Sequence, residues 1–199
     1  LLSVQGPNSI ILLQNLTNID LSKIKYYHFK IGEISGVKNV ILSRTGYTGE
    51  IGFEIYVKNK DVKKIWDSLF NTSIEIKPIG LAARDTLRLE KGFCLYGNEI
   101  NDNISPIDAG LSWITKFTKE FIGCEKINTH KNEGSKFVLV GLEIIDKGIA
   151  RKDCKIYNKK NIEIGFITSG TMSPTLSKVI ALAYIKTKES SLGSIVYIR

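Results

Sequence analysis

The sequence predicts an α+β fold, with antiparallel sheets flanked by helices and followed by a small antiparallel barrel or sandwich. Three observations predict it. Residues 51–57 alternate, with Ile51, Phe53, Ile55 and Val57 on one face and Gly52, Glu54 and Tyr56 on the other, which is the period of a half-buried strand. Val62, Ile65, Trp66, Leu69 and Phe70 recur at the i, i+3, i+4, i+7, i+8 spacing of a core-facing helix. From residue 137 onward, short apolar runs follow one another without any helical stripe.

In chain order, Leu1-Leu2-Ser3-Val4-Gln5-Gly6-Pro7 reads as a strand entering a turn. Pro7, Asn8 and the run Ile10, Ile11, Leu12, Leu13 and Leu16 read as a short helix. Strands are predicted at 26–34 and 37–43. The turn Thr45-Gly46-Tyr47-Thr48-Gly49 then joins the second of them to 51–57 as a hairpin with a longer loop. Asp61 is the predicted N-cap of the striped helix. A second helix spans about 80–91 and stops at Gly92, a residue suited to the position just past a helix end. The polar stretch 129–136, which contains Gly134, reads as a domain boundary separating 1–130 from 131–199. Beyond it, strands are predicted at 137–145, 155–157, 162–168, 179–185 and 194–198, with Asn158-Lys159-Lys160-Asn161 turning the second into the third.

The 199 residues are 43% hydrophobic, too apolar for a disordered chain and enough for one large or two smaller domains. No apolar run approaches the roughly 20 residues that cross a bilayer, so an integral membrane protein is excluded. The formal charge is +8, from 28 Lys plus Arg against 20 Asp plus Glu. Of the basic residues 23 are Lys, and the chain holds 30 Ile and 13 Asn but only 6 Ala. That bias runs through the whole sequence and does not form a local nucleic-acid patch, so the charge speaks to solubility and loose association. Cys94, Cys124 and Cys154 are odd in number and lack CxxC spacing. Neither a disulfide framework nor a metal site is expected, and a reducing compartment follows.

Four segments could carry chemistry. In Ser43-Arg44-Thr45-Gly46-Tyr47-Thr48-Gly49-Glu50-Ile51-Gly52, a carboxylate at Glu50 could accept paired hydrogen bonds from an aminopyrimidine or guanidinium-like edge. The same residues suit a plain hairpin with a solvated Glu. In the segment 80–92, Arg84 and Arg88 are one turn apart on a shared face, and Asp85 can pair with Arg88. A ligand clamp and a structural ion-pair network both fit. Cys94-Leu95-Tyr96-Gly97-Asn98-Glu99-Ile100 is followed by Asp102, Pro106, Asp108 and Trp113, and the rings of Tyr96 and Trp113 could stack on a planar ligand or anchor loops. The hydroxyl-rich stretch 168–178 suits an ordered loop between strands. With only His28 and His130 in the chain, no Cys–His or Ser–His–Asp grouping emerges.

Together and in this order, these segments resemble the aminomethyltransferase, or T-protein, family of the glycine cleavage system. The matching stretches are Gln5-Gly6-Pro7, 43–54, 80–92, 95–100, 106–113, Phe121-Ile122-Gly123 and 165–183. The loop at 43–50 and the helix at 80–90 are the most specific. The resemblance implies three closely packed domains. This chain is then a fragment lacking the N-terminal region, with the later part of the folate-binding core at 1–130 and a C-terminal β-barrel at 131–199.

The resemblance further implies transfer of a one-carbon unit from the aminomethyl-lipoyl arm of H-protein to tetrahydrofolate, with release of ammonia. Glu50 would bind the aminopyrimidine edge of the pterin and Arg84 would lie in the folate site. Tyr96, Trp113 and Arg151 would be secondary folate-site residues. The catalytic aspartate of the family lies in its N-terminal region, so no residue here is assigned as principal acid or base, and the fragment alone is expected to be inactive. Tetrahydrofolate is the implied acceptor and lipoylated H-protein the implied partner. The implied location is the cytoplasm of a bacterium or the mitochondrial matrix of a eukaryote. Iron–sulfur assembly or repair factors share the fold, but their Lys-Gly-Cys-Tyr-x-Gly-Gln-Glu signature differs from Lys91-Gly92-Phe93-Cys94-Leu95-Tyr96-Gly97-Asn98-Glu99. The folate domain of a sarcosine or dimethylglycine dehydrogenase is a second relative of this kind. A basic nucleic-acid binder would instead show steep salt-dependent binding.

Overall fold

The computed structural model describes residues 1–199, and the chain divides into two units, Leu1–Leu87 and Arg88–Arg199. The first contains β1 (Leu2–Gln5), α1 (Ser9–Gln14), β2 (Phe29–Ile34), β3 (Val37–Ser43), β4 (Gly52–Tyr56) and α2 (Asn59–Phe70). Its antiparallel sheet has the order β1-β4-β3-β2. One sheet face is closed by helix side chains. Val40 and Leu42 of β3, Phe53 and Ile55 of β4 and Val4 of β1 are buried with Leu12 and Leu13 of α1 and with Ile65 and Leu69 of α2.

Several local expectations are corrected. The strand predicted at 26–34 begins only at Phe29, because Tyr27 takes a positive φ of 62° and His28 N–H closes a turn on the Lys25 carbonyl. Ile51 precedes β4 and is exposed, so the alternation starts one residue later. The N-cap of α2 is Lys58, not Asp61. Extended backbone at Lys58 starts the helix two residues before Asp61 is reached, which leaves that carboxylate in the first turn, facing the positive end of the helix dipole. The stripe on α2 is narrower than its spacing implies. Ile65 and Leu69 are buried, while Trp66 and Phe70 are exposed and pack on each other with ring centroids 4.9 Å apart.

Helix α3 (Leu81–Glu90) contains the division between the units. Its end follows the sequence reading closely. Gly92 has φ 69° and its N–H donates to the Leu89 carbonyl, while Phe93 N–H donates to the Arg88 carbonyl. This is the Schellman arrangement, and glycine meets its left-handed position without a Cβ penalty.

The second unit continues with α4 (Cys124–Glu133), β5 (Phe137–Ile144), β6 (Lys155–Tyr157), β7 (Glu163–Ser173), β8 (Lys178–Lys186) and β9 (Tyr197–Ile198). The five strands form one sheet in the order β5-β8-β7-β6-β9, with every pair antiparallel. Ile156, Ile164, Ile167, Ala181, Ala183 and Ile185 form its core. Helix α4 occupies part of the stretch read as an interdomain boundary. It buries no residue, so no apolar periodicity announces it. Strand β7 runs past residue 168 because a register shift between Ile167 and Ser169 absorbs one extra residue and lets pairing with β8 resume. No helix is long and apolar enough to cross a membrane.

Phe53 has no exposed surface and sits in the centre of the first core. Phe53→Ala should lower unfolding stability by about 3–5 kcal/mol. Lys38→Ala, on the exposed surface of β3, should stay within about 0.5 kcal/mol of the parent. Urea titration checks both, and equal effects would displace the core from β4.

Candidate functional site

The β3–β4 loop is built around Gln5. Its side-chain amide donates to the Thr45 carbonyl at 3.1 Å and to Ser3 Oγ at 3.0 Å. A Cβ on Gly46 or Gly52 would lie 2.2 or 2.0 Å from Gln5 Oε1, so any side chain there displaces the clamp. Thr45 Oγ1 donates to Glu54 on the neighbouring strand. At the loop tip Thr48 is buried and accepts a hydrogen bond from Glu50 N–H at 3.3 Å, while Glu50 itself is exposed. The fixed backbone thus presents a carboxylate to solvent.

Arg84 is also exposed, and its guanidinium lies over the Tyr47 ring, 4.5 Å from the centroid. That contact joins the loop to α3 within the first unit and restrains a long side chain that would otherwise be mobile. Gly80, Ala82 and Ala83, the small residues that could have packed closely, are exposed as well and leave the first turns of α3 open.

One turn further on, Arg88 has the opposite fate. Its side chain and that of Glu99 have no exposed surface, and Arg88 Nη1 donates to Glu99 Oε2 at 2.8 Å. Nη1 also reaches the Phe93 carbonyl at 3.0 Å, and Nη2 donates to Ser169 Oγ at 2.8 Å. Both Glu99 oxygens are occupied. Oε2 accepts from Leu95 N–H, and Oε1 accepts from Ser169 Oγ–H at 2.6 Å. Asn98 Nδ2 donates to the same serine, and Tyr184 Oη donates to the Glu99 carbonyl at 2.7 Å. Three of the four sequence segments that could carry chemistry therefore converge on one buried polar network. Ser173, further along β7, donates to Glu90 at 2.5 Å.

The remaining predicted residues sit at the surface of the second unit. Tyr96 is 67% exposed, and its hydroxyl donates to Asp102 at 2.6 Å. That hydrogen bond and the aspartate charge push the phenol upward, so it stays neutral. Trp113 is 63% exposed, and Arg151 is exposed. Beside Arg151, Lys152 Nζ donates to the Gly97 carbonyl at 2.7 Å and pins the 96–99 turn from outside. Burial, followed by the nearby Glu99 charge, pushes the Cys94 thiol up, the reverse of what an activated nucleophile requires.

The GCVT N-terminal domain family matches residues 1–119, and the glycine cleavage T-protein C-terminal barrel domain family matches residues 138–199. The chain belongs to the glycine cleavage T-protein family. The aminomethyltransferase of Flavobacterium psychrophilum is 50% identical over 201 residues, covering 100% of this chain and 56% of that protein. That of Bacteroides thetaiotaomicron is 51% identical over 197 residues, covering 97% and 55%. The crystal structure of glycine cleavage system aminomethyltransferase T from Bartonella henselae matches with a TM-score of 0.90 at 28% identity, covering 99% of this chain and 54% of that one. The chain spans about half the length of the curated relatives it matches.

Within this T-protein chain, the sequence singles out neither Glu99 nor Ser169 and leaves both a clamp and an ion pair open for Arg88. The structure makes Arg88 an ion pair. Its position gave one usable signal: an arginine between Leu87 and Leu89, on the turn where the exposed part of α3 ends.

Removing one partner of a buried pair leaves a charge without its counter-charge. Glu99→Gln should therefore cost about 3–5 kcal/mol, and combining it with Arg88→Met should cost less than the sum of the two single changes. Denaturant unfolding of the four-protein cycle measures this; strict additivity would mean the two groups do not interact. Glu90 offers a pH test. Burial alone would raise its carboxyl, but the hydrogen bonds from Ser173 and Thr175 outweigh it and hold the group below its usual value. A carboxyl lowered on folding contributes stability that is complete above its unfolded value and is lost as pH falls through the folded one. The stability gap between the parent and Ser173→Ala should thus narrow as the pH is taken below 4.5.

Proposed function

We propose that this chain is the later part of an aminomethyltransferase that moves a one-carbon unit from aminomethyl-lipoyl H-protein to tetrahydrofolate and releases ammonia. The observation that carries the reading is identity of about half the residues across the entire chain to proteins named for that activity. In this reading residues 1–130 are the later part of the folate-binding core and 131–199 the C-terminal barrel. The protein works in the cytoplasm of a bacterium, with lipoylated H-protein and tetrahydrofolate as partners.

Glu50 meets the aminopyrimidine edge of the pterin, where a carboxylate accepts two N–H donors at once. Arg84, held over Tyr47, orients the ligand and balances charge. Tyr96 offers an exposed ring face while its hydroxyl stays engaged with Asp102, and Trp113 and Arg151 act as secondary contacts. What supports the reading is, in the first unit, the exposed Glu50 carboxylate and the restrained Arg84 guanidinium, and, in the second, the exposed rings of Tyr96 and Trp113. The principal acid or base is not assigned to this chain. Its own contribution is to bind and orient, which by itself supplies a large part of the rate of a two-substrate transfer.

The test is formation of methylene-tetrahydrofolate from aminomethyl-loaded H-protein, with this chain joined to the remaining part of a full-length relative. In that protein Glu50→Gln should weaken tetrahydrofolate binding about ten- to a hundredfold, because a charge-assisted hydrogen-bond pair is lost. Its thermal unfolding should stay at the parent value, since Glu50 is exposed. Unchanged folate affinity would remove Glu50 from the site. The isolated 199-residue chain should show no turnover, and measurable product from it would overturn the division of labour proposed here.

A further inference from the structure

The loop that carries Glu50 is fastened at both ends by one short segment of the chain. At the near end the Gln5 side chain holds the Thr45 carbonyl. At the far end the Ile51 carbonyl accepts two hydrogen bonds, from Gly6 N–H at 2.8 Å and from Ser9 Oγ at 3.0 Å. Ile51 directly follows Glu50. The Gly6 bond comes from the backbone and carries the β1–β4 ladder one step past its last register pair, Gln5 with Gly52. The Ser9 bond is different, because it depends on one side chain. With it both lone pairs of the Ile51 carbonyl are taken.

Ser9 opens α1 and is 4% exposed, and Leu12 and Leu13 anchor that helix in the first core. Hydroxyl and amide side chains at a helix start ordinarily cap its free N–H groups. Here Asn8, the N-cap, makes no side-chain cap hydrogen bond, and the Ser9 hydroxyl is turned to the loop. Alanine would suit the helix better, so it is the loop that accounts for a serine at this position. Glu50 needs such support. Its side chain stands in solvent, so the backbone on either side sets where the carboxylate lies. On one side its N–H is bound to the buried Thr48 hydroxyl, and on the other Ser9 holds the Ile51 carbonyl. A carboxylate that must meet two N–H groups at once loses affinity when its backbone wanders, since the cost of ordering it then falls on binding.

We propose that Ser9 is a positioning residue for the folate site: through the Ile51 carbonyl it fixes the backbone from which Glu50 meets the pterin edge. This rests on the assignment of Glu50 to that site. The test uses the chain joined to the remaining part of a full-length relative. Ser9→Ala should raise the Kd for tetrahydrofolate about three- to tenfold, the scale of one net hydrogen bond. At saturating tetrahydrofolate kcat should stay within about twofold of the parent, because only the holding of the ligand is lost. Amide hydrogen exchange across 45–51 should quicken several-fold with no folate present. Placed on Glu50→Gln, the same change should weaken binding no further. A merely structural serine would lower the melting temperature and leave folate affinity alone, and that result overturns the proposal. Unchanged exchange in the loop overturns it too, as does an equal loss of affinity in both backgrounds. Parent affinity in Glu50→Gln removes the folate assignment and the proposal with it. Parent affinity in Ser9→Ala beside a weakened Glu50→Gln removes the proposal alone.

Discussion

A guanidinium with no exposed surface sets the terms for the second unit. Taking Arg88 out of water costs several kcal/mol, and that cost is offset only if every neighbouring group is held in place. Glu99 supplies the counter-charge, the Phe93 carbonyl and Ser169 supply acceptors, and Leu95, Asn98 and Tyr184 fix the loop and the strand that bring them there. The turn after α3, the 94–100 loop and β7 are thereby tied to one point. Such a network stabilises little in excess of an apolar core, but it admits few alternative arrangements.

Two arginines one turn apart on the same helix divide the work of the chain. Arg88 is spent internally, with its charge neutralised and its donors engaged. Arg84 is exposed and is restrained only by the flat face of Tyr47. Glu50 follows the same logic as Arg84: a charged group at the tip of a loop whose backbone is clamped by Gln5. The exposed charges of Glu50 and Arg84 sit on ordered backbone at the surface, and the charges that organise the fold sit inside.

What could be read from the sequence depended on the range of the forces involved. The alternation of β4, the stripe that yields Ile65 and Leu69, and the glycine stop after α3 are local patterns, and each appears in the structure within a residue or two. Helix α4 was not legible because it buries nothing and so carries no periodicity. The exposure of Trp66 and Phe70 was not legible either, since spacing gives the direction of a side chain and not whether a partner stands there. Within the site, the loop and the α3 arginine were visible as motifs. The partners of Arg88 were not, because Ser169 lies 81 residues away in sequence and only the completed sheet brings it near.

The extra residue in β7 has a consequence for how this strand can change length. Beyond the register shift, Ser169 and Ser173 fall on the same side of the strand, where they meet Arg88 and Glu90. The side each serine takes follows its partner on β8, Leu182 for Ser169 and Lys178 for Ser173. Removing the one extra residue at the shift would therefore leave both facing their charged partners. Removing a residue between the serines would instead put them on opposite sides and strand one of the two charged groups. Losing or gaining a pair of residues between them would preserve the parity. Length changes between the two serines are therefore held to steps of two while the shift itself can lose its extra residue, a constraint on insertions and deletions imposed by a polar cluster rather than by the hydrophobic core.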